Sequence, residues 1–138
     1  MINTIIGITI HNTNNDLSAK ENLSKIINNN WNGYHYLVDE DEIIKLCRDN
    51  DVIFHTGKGY DQGNLKTISI GICKSTTNKY HDAEKNAIKL IVQLMSKYNI
   101  GKNAIYFHCD WNKTSFCPHR ILSEFTKKEW IERRFIDV

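Results

Sequence analysis

A histidine at the end of an apolar, β-branched run is the first residue of this chain that could do chemistry. His11 follows residues 5–10 within Thr9-Ile10-His11-Asn12-Thr13. A second histidine, His108, follows the short apolar stretch 104–107, and Cys117 comes nine residues later across a polar loop. Strand ends are rigid, so side chains placed there can hold a metal in fixed geometry. Two imidazoles and one thiolate leave the fourth tetrahedral position open to water, the pattern of a catalytic rather than a structural zinc. Cys109 is a second candidate thiolate. It neighbours His108, so on a strand it would point to the opposite face, which favours Cys117.

The elements that must position these groups are readable from periodicity. Residues 5–10 read as a buried strand. Residues 16–29 read as a helix, with Ser18 and Glu21 as a capping box and Leu23, Ile26 and Ile27 on one face. Residues 34–38 and 43–47 read as two strands of a hairpin joined by the acidic turn Asp39-Glu40-Asp41. Residues 52–55 are extended, and the glycine-bearing stretch 56–66 reads as a loop. A strand is expected over 67–73. The clearest helix runs over 82–98, capped by Asp82 and ended near Gly101. A short strand follows at 104–107. A last helix starts near Thr126, with Glu129 completing a capping box and Trp130 as its anchor. Strands alternating with helices, plus one hairpin, predict an α/β fold: a central mixed sheet flanked by helices on both faces.

Composition sets the outer limits. At 138 residues the chain suffices for one core, so residues 1–138 are read as a single catalytic domain. A net charge of +2, with no long Lys/Arg block, argues against nucleic acid as a partner. No run approaches the about 18 apolar residues of a membrane span, so no membrane partner is expected. The N-terminus lacks a basic region and a cleavage site, so the chain is expected to be cytoplasmic as made. On that reading Cys47, Cys73, Cys109 and Cys117 are thiols rather than a disulfide framework.

Four stretches carry a family resemblance: Ile8-Thr9-Ile10-His11-Asn12-Thr13, Gly33-Tyr34-His35-Tyr36-Leu37-Val38-Asp39, Phe54-His55-Thr56-Gly57, and residues 108–122 with Cys117-Pro118-His119-Arg120-Ile121-Leu122. In their order and spacing the chain resembles the zinc N-acetylmuramoyl-L-alanine amidases of phage endolysins and bacterial autolysins, which share a fold with the peptidoglycan-recognition proteins. The resemblance implies that His11, His108 and Cys117 ligate Zn2+, and that Tyr34 stands beside the metal as a hydrogen-bond donor or proton carrier. It implies peptidoglycan as substrate, action on the wall after release from the cell, and room for a separate cell-wall-binding domain outside this chain. Relatives place a Lys two positions before the ligand Cys. Here that slot is Ser115, so Lys113 and Thr114 stand as the catalytic candidates of the loop. Many relatives also carry a Glu after the Ile in the stretch matching Gly71-Ile72-Cys73, where this chain has Cys73.

Several residues have plainer readings. His55 is weighed equally as a substrate contact and as structure, and Trp111 as groove wall or core. His35, Trp31 and Trp130 read as core, His81 as exposed, and the 39–42 cluster as a solvated turn. Gly57-Lys58-Gly59 lacks the rest of a phosphate cradle. The rival functional reading is a muropeptide-binding domain of the same fold that does not cut.

Overall fold

The protein is described from a computed structural model, over residues 4–26, 32–74 and 78–138. Alternation along the first strand, β1 (Gly7–Asn12), decides what each face of the sheet does. Ile8 and Ile10 point one way into the main core, while Thr9 and His11 point the other way. His11 thus lies inside the strand rather than just after it.

Among the described residues the sheet has five strands in the order β3-β2-β4-β1-β5. They are β1, β2 (Tyr36–Val38), β3 (Ile43–Lys45), β4 (Thr67–Ile72) and β5 (Ile105–Phe107). β1 runs parallel to β4 and β5, β2 runs parallel to β4, and β2–β3 is the antiparallel hairpin. The sheet is therefore mixed, as the pattern predicts. The long helix α3 (Tyr80–Tyr98) packs Ala83, Ala87, Leu90, Ile91, Leu94 and Met95 against Ile68, Ile70 and Ile72. Trp130 of the C-terminal helix α6 (Lys127–Arg134) closes the same core. On the other face α1 (Ala19–Ile26) covers Leu37 and Cys73 with Ala19, Leu23 and Ile26.

Local chemistry explains where the elements start and stop. The Ser18–Glu21 capping box forms, with reciprocal bonds of 3.2 and 3.1 Å. Thr126 and Glu129 make the second one, at 3.2 and 3.1 Å. Asp82 does not cap α3, which starts two residues earlier at Tyr80; Asp82 lies in its first turn, where a negative charge suits the helix dipole. Asn99, in the left-handed conformation at φ 53°, ends that helix in place of the expected Gly101. Asp39 is not a solvated turn residue. It is 2% exposed and accepts from the backbone N–H of Asp41, Glu42 and Ala19, tying the hairpin to the start of α1.

Three short helices replace predicted loop or strand. α2 (Gln62–Lys66) is capped by Asp61, whose carboxylate accepts from Asn64 N at 2.8 Å. α4 (His108–Trp111) follows β5 at once, so Cys109 sits on a helical turn, with its side chain packed against the main core. α5 (His119–Leu122) follows Pro118. All four cysteines are free thiols. Among the described residues no helix is long and apolar enough to cross a membrane. Ile27 and Trp31 lie outside the described residues.

Candidate metal centre

β1, the first residue of α4 and the loop before α5 bring three side chains to one point. The ligating atoms of His11, His108 and Cys117 all lie within 4.8 Å of one another. His11 Nδ1 is 3.6 Å from the Cys117 sulfur, and the His11 and His108 ring centroids are 4.8 Å apart. The cluster floors a cleft of about 410 Å³ that is also lined by Asn12, Tyr34, Ser115, Phe116 and His119.

The groups behind the cluster fix which nitrogen each imidazole offers. His55 Nε2 lies 2.9 Å from Gly63 O, which can only accept, so Nε2 carries the hydrogen. Burial holds the His55 pKa down at about 3, so its ring is neutral and Nδ1 must accept. That Nδ1 lies 2.9 Å from His11 Nε2, which must therefore donate, leaving the lone pair of His11 Nδ1 facing Cys117. His108 Nε2 lies 2.8 Å from Thr56 O and donates to it, leaving Nδ1 as its remaining nitrogen. A backbone carbonyl that accepts from the far N–H of a ligand histidine is usual outer support of a metal site, and for His11 the His55 imidazole takes that part.

The donor set fits a zinc-like cation. Burial, with His55 and His108 as neighbours, pushes His11 well below the ordinary histidine range, so it is a neutral ligand near pH 7. Burial pushes the Cys117 thiol up to about 12, only partly offset by the Asn12 backbone. Without a cation this sulfur keeps its proton; a divalent metal inverts that preference. Two nitrogens and one sulfur suit zinc and exclude magnesium or calcium, which take oxygen.

Tyr34 stands over the cluster because β4 offers no side chain there. Gly71 pairs with His11 across the sheet, and a Cβ on it would come within 3.0 Å of the Tyr34 ring. The tyrosine packs edge-on to His11, with ring centroids 5.1 Å apart. Burial, aided by Cys117 and Cys73, raises the phenol above its ordinary pKa, so it is a proton donor at neutral pH. Cys73 itself is fully buried beneath α1 and does not line the cleft.

The remaining expected site residues fall in different places. His55 lines the cleft at 9% exposure, and both its nitrogens are engaged behind His11. Trp111 lies outside the cleft lining. Its ring lies where a Cβ on Gly63 would have to be, within 2.8 Å, and Nε1 donates to Thr9 Oγ1 at 2.9 Å. Thr9 continues to Thr67 at 2.7 Å, and Thr67 to Gly63 O at 2.6 Å. The same carbonyl that orients His55 is thus held by the sheet. Lys113 and Thr114 are exposed and outside the cleft lining, with Thr114 Oγ1 turned back onto Asn112 at 2.7 Å. Ser115 is the residue of this stretch that lines the cleft, and its Oγ accepts from Cys117 N at 3.1 Å.

Two supports escaped the sequence reading. Asn12 Oδ1 accepts from the N–H groups of Arg120 and Ile121 at 2.9 and 3.1 Å, clamping the start of α5 to β1. Asn64 Oδ1 accepts from both His55 N and Thr56 N, at 2.6 and 3.0 Å, holding the strip that carries the outer support. Asn12 had a signal, its place directly after His11. Asn64 had none, because its role depends on α2.

Comparison with known proteins agrees with this geometry. Residues 2–120 match the family model described as N-acetylmuramoyl-L-alanine amidase. The chain is similar to the N-acetylmuramoyl-L-alanine amidase CwlA of Bacillus subtilis (strain 168), 41% identical over 129 residues, covering 91% of this chain and 46% of that protein. It is 42% identical over 121 residues to XlyB of the same organism, covering 85% of this chain and 38% of that protein. The chain therefore spans about half or less of the length of these relatives. The solved structure of PlyL superposes with a TM-score of 0.87 at 33% identity, covering 96% of this chain and 85% of that one. The catalytic domain of XlyA gives 0.86 at 28%, covering 97% and 88%. By sequence, by fold and by the grouping of two histidines with a cysteine, this chain belongs to the N-acetylmuramoyl-L-alanine amidase family.

Proposed function

We propose that this chain hydrolyses the amide between N-acetylmuramic acid and the L-alanine of the peptidoglycan stem, with a zinc ion held by His11, His108 and Cys117. The observation that carries the reading is the convergence of those three donors in an open cleft, with His55 fixing the His11 tautomer. When bound, such an ion supplies a Lewis acid and activates water near neutral pH. Tyr34, protonated and facing the cleft, donates a hydrogen bond where negative charge develops on the attacked carbonyl oxygen. His119, whose pKa is lowered by burial and by Lys74 and Arg120, stands at the cleft as a neutral imidazole able to accept a proton from the attacking water and to pass it to the departing amine. Residues 1–138 act as one catalytic unit, and any wall-binding domain lies outside them.

One observation favours a second reading, a muropeptide-binding domain that does not cut. No carboxylate lines the cleft among the described residues, so the usual acidic base is lacking. Zinc-loaded protein incubated with purified cell walls separates the two. New L-alanine amino termini support the amidase. Retention on walls without new termini supports the binder.

A further inference from the structure

The cleft continues past Tyr34 into a second cavity of about 350 Å³ beneath α1. The two share Asn14, Tyr34 and His55, and both Tyr34 and His55 pack against His11, so the metal cluster borders the junction from the first cleft. A hydrolase that cuts within a polymer must hold it on both sides of the scissile bond. The two sides here differ in charge. The α1 cavity holds one formal charge among its described lining residues, the exposed Lys25 in the last turn of α1. Among the described residues Lys25 has no acidic partner. The cleft on the α5 side holds no Lys, Arg, Asp or Glu among its lining residues, and presents Phe116 at 85% exposure.

The substrate's arms differ in the same way. The glycan arm is uncharged near the cut, because the lactyl carboxyl is consumed in the scissile amide. It offers C–H faces that stack on an aromatic ring. The peptide arm carries carboxylates, free or amidated, from its second residue onward. At most about 3.6 Å per extended residue, the second residue lies within roughly 7 Å of the scissile bond, in reach of a cavity of this size.

Resting on the amidase reading above, we infer that the stem peptide lies in the α1 cavity and that Lys25 selects stems whose second residue bears a free α-carboxylate over a carboxamide. Asn14, exposed at the junction, supplies a donor and an acceptor for the peptide backbone. Phe54 gives the cavity an apolar wall. Lys25 touches substrate without touching the reacting atoms, so it acts on binding and leaves the chemical step alone.

The test uses zinc-loaded protein and two synthetic N-acetylmuramoyl tripeptides. Both are amidated at the C-terminus. In both, the second residue is a glutamate joined onward through its γ-carboxyl, and they differ only in its α-carboxyl, free in one and a carboxamide in the other. The native protein is expected to show a KM roughly three- to fivefold lower for the free acid, the size of a partly exposed ion pair, with kcat unchanged. Lys25→Gln removes the preference, Lys25→Arg keeps it and Lys25→Glu reverses it, all with unfolding midpoints close to native. Equal KM values in the native protein, or a preference that survives Lys25→Gln, overturn the role of Lys25 and leave the amidase reading intact. Cleavage of neither tripeptide, with activity on whole walls also absent, overturns the amidase reading and this inference with it.

Discussion

His55 Nδ1 lies 2.9 Å from His11 Nε2, and through that one bond a carbonyl on α2 decides which nitrogen of a β1 histidine faces the metal cluster. The relay runs Gly63 O, His55, His11, and spans three separate segments of the chain. Replacing His55 with Ala leaves His11 Nε2–H without its acceptor and frees the ring to flip. We expect zinc affinity to fall about 10- to 100-fold, typical for removal of an outer-shell partner. Competition with a chelator measures this. Native affinity in a folded His55→Ala protein would mean that the relay holds nothing.

Gly71 keeps Tyr34 in place. Gly71→Ala brings a methyl group to 3.0 Å from the Tyr34 ring, close enough to push the ring aside. Overpacking of this kind costs about 1–3 kcal/mol. The expected phenotype is a rate loss of tenfold or more with zinc retained, the order seen when a transition-state donor is displaced. Metal analysis beside kcat separates this from loss of the site.

Glu84 is 4% exposed and accepts from Trp130 Nε1 at 3.0 Å and Arg134 Nε at 2.6 Å, pinning α6 to α3. Glu84→Ala strips the partner from a half-buried guanidinium and a buried indole. Denaturant unfolding should show a loss of about 3 kcal/mol. A change below 0.5 kcal/mol would place the α6 anchor in apolar packing alone.

Asp49 sets an acid limit on stability. Burial works to raise its pKa, but the hydroxyls of Tyr36 and Tyr98 and the ammonium groups of Lys45 and Lys97 outweigh that and hold it below the ordinary carboxylate range. A depressed folded-state pKa means that the unfolded chain takes up the proton first. The stabilisation is therefore present above the ordinary carboxylate pKa and is lost as pH falls through the lower, folded value. Asp49→Asn should cost about 1–3 kcal/mol at pH 7 and flatten the acid limb of a stability-versus-pH curve. An unchanged acid limb would locate that transition elsewhere.

Local signals marked His11, His108 and Cys117 as candidates (an apolar run ending in His11, another ending before His108, and one thiol at the far end of a polar loop), and the family resemblance joined them into one ligand set. The sequence reading also reached the sheet and its two helical layers, because Ile8, Ile10, Ile68, Ile70 and Ile72 alternate with small or polar residues. What escaped it depends on chain paths set from afar. α2 is five residues long and contains a glycine, and only the Asp61 cap and the packing of Trp111 on Gly63 make it a helix. The loop before Cys117 turns Ser115 to the cleft and leaves Lys113 outside, since Asn112 is tied to Thr56 O at 2.9 Å. Cys73, which stands where relatives carry a Glu, lies beneath α1 and away from the cleft. The strand register shows that the β4 residue beside His11 is Gly71.

The most direct measurement is zinc content together with mass analysis of digested cell wall, for the native protein and for Cys117→Ser. The expected result is one zinc per native chain with stem peptides freed at their L-alanine ends, and little of either for a Cys117→Ser protein that keeps the native circular dichroism spectrum. Undiminished peptide release by Cys117→Ser, or release by native protein stripped of metal, would contradict the account.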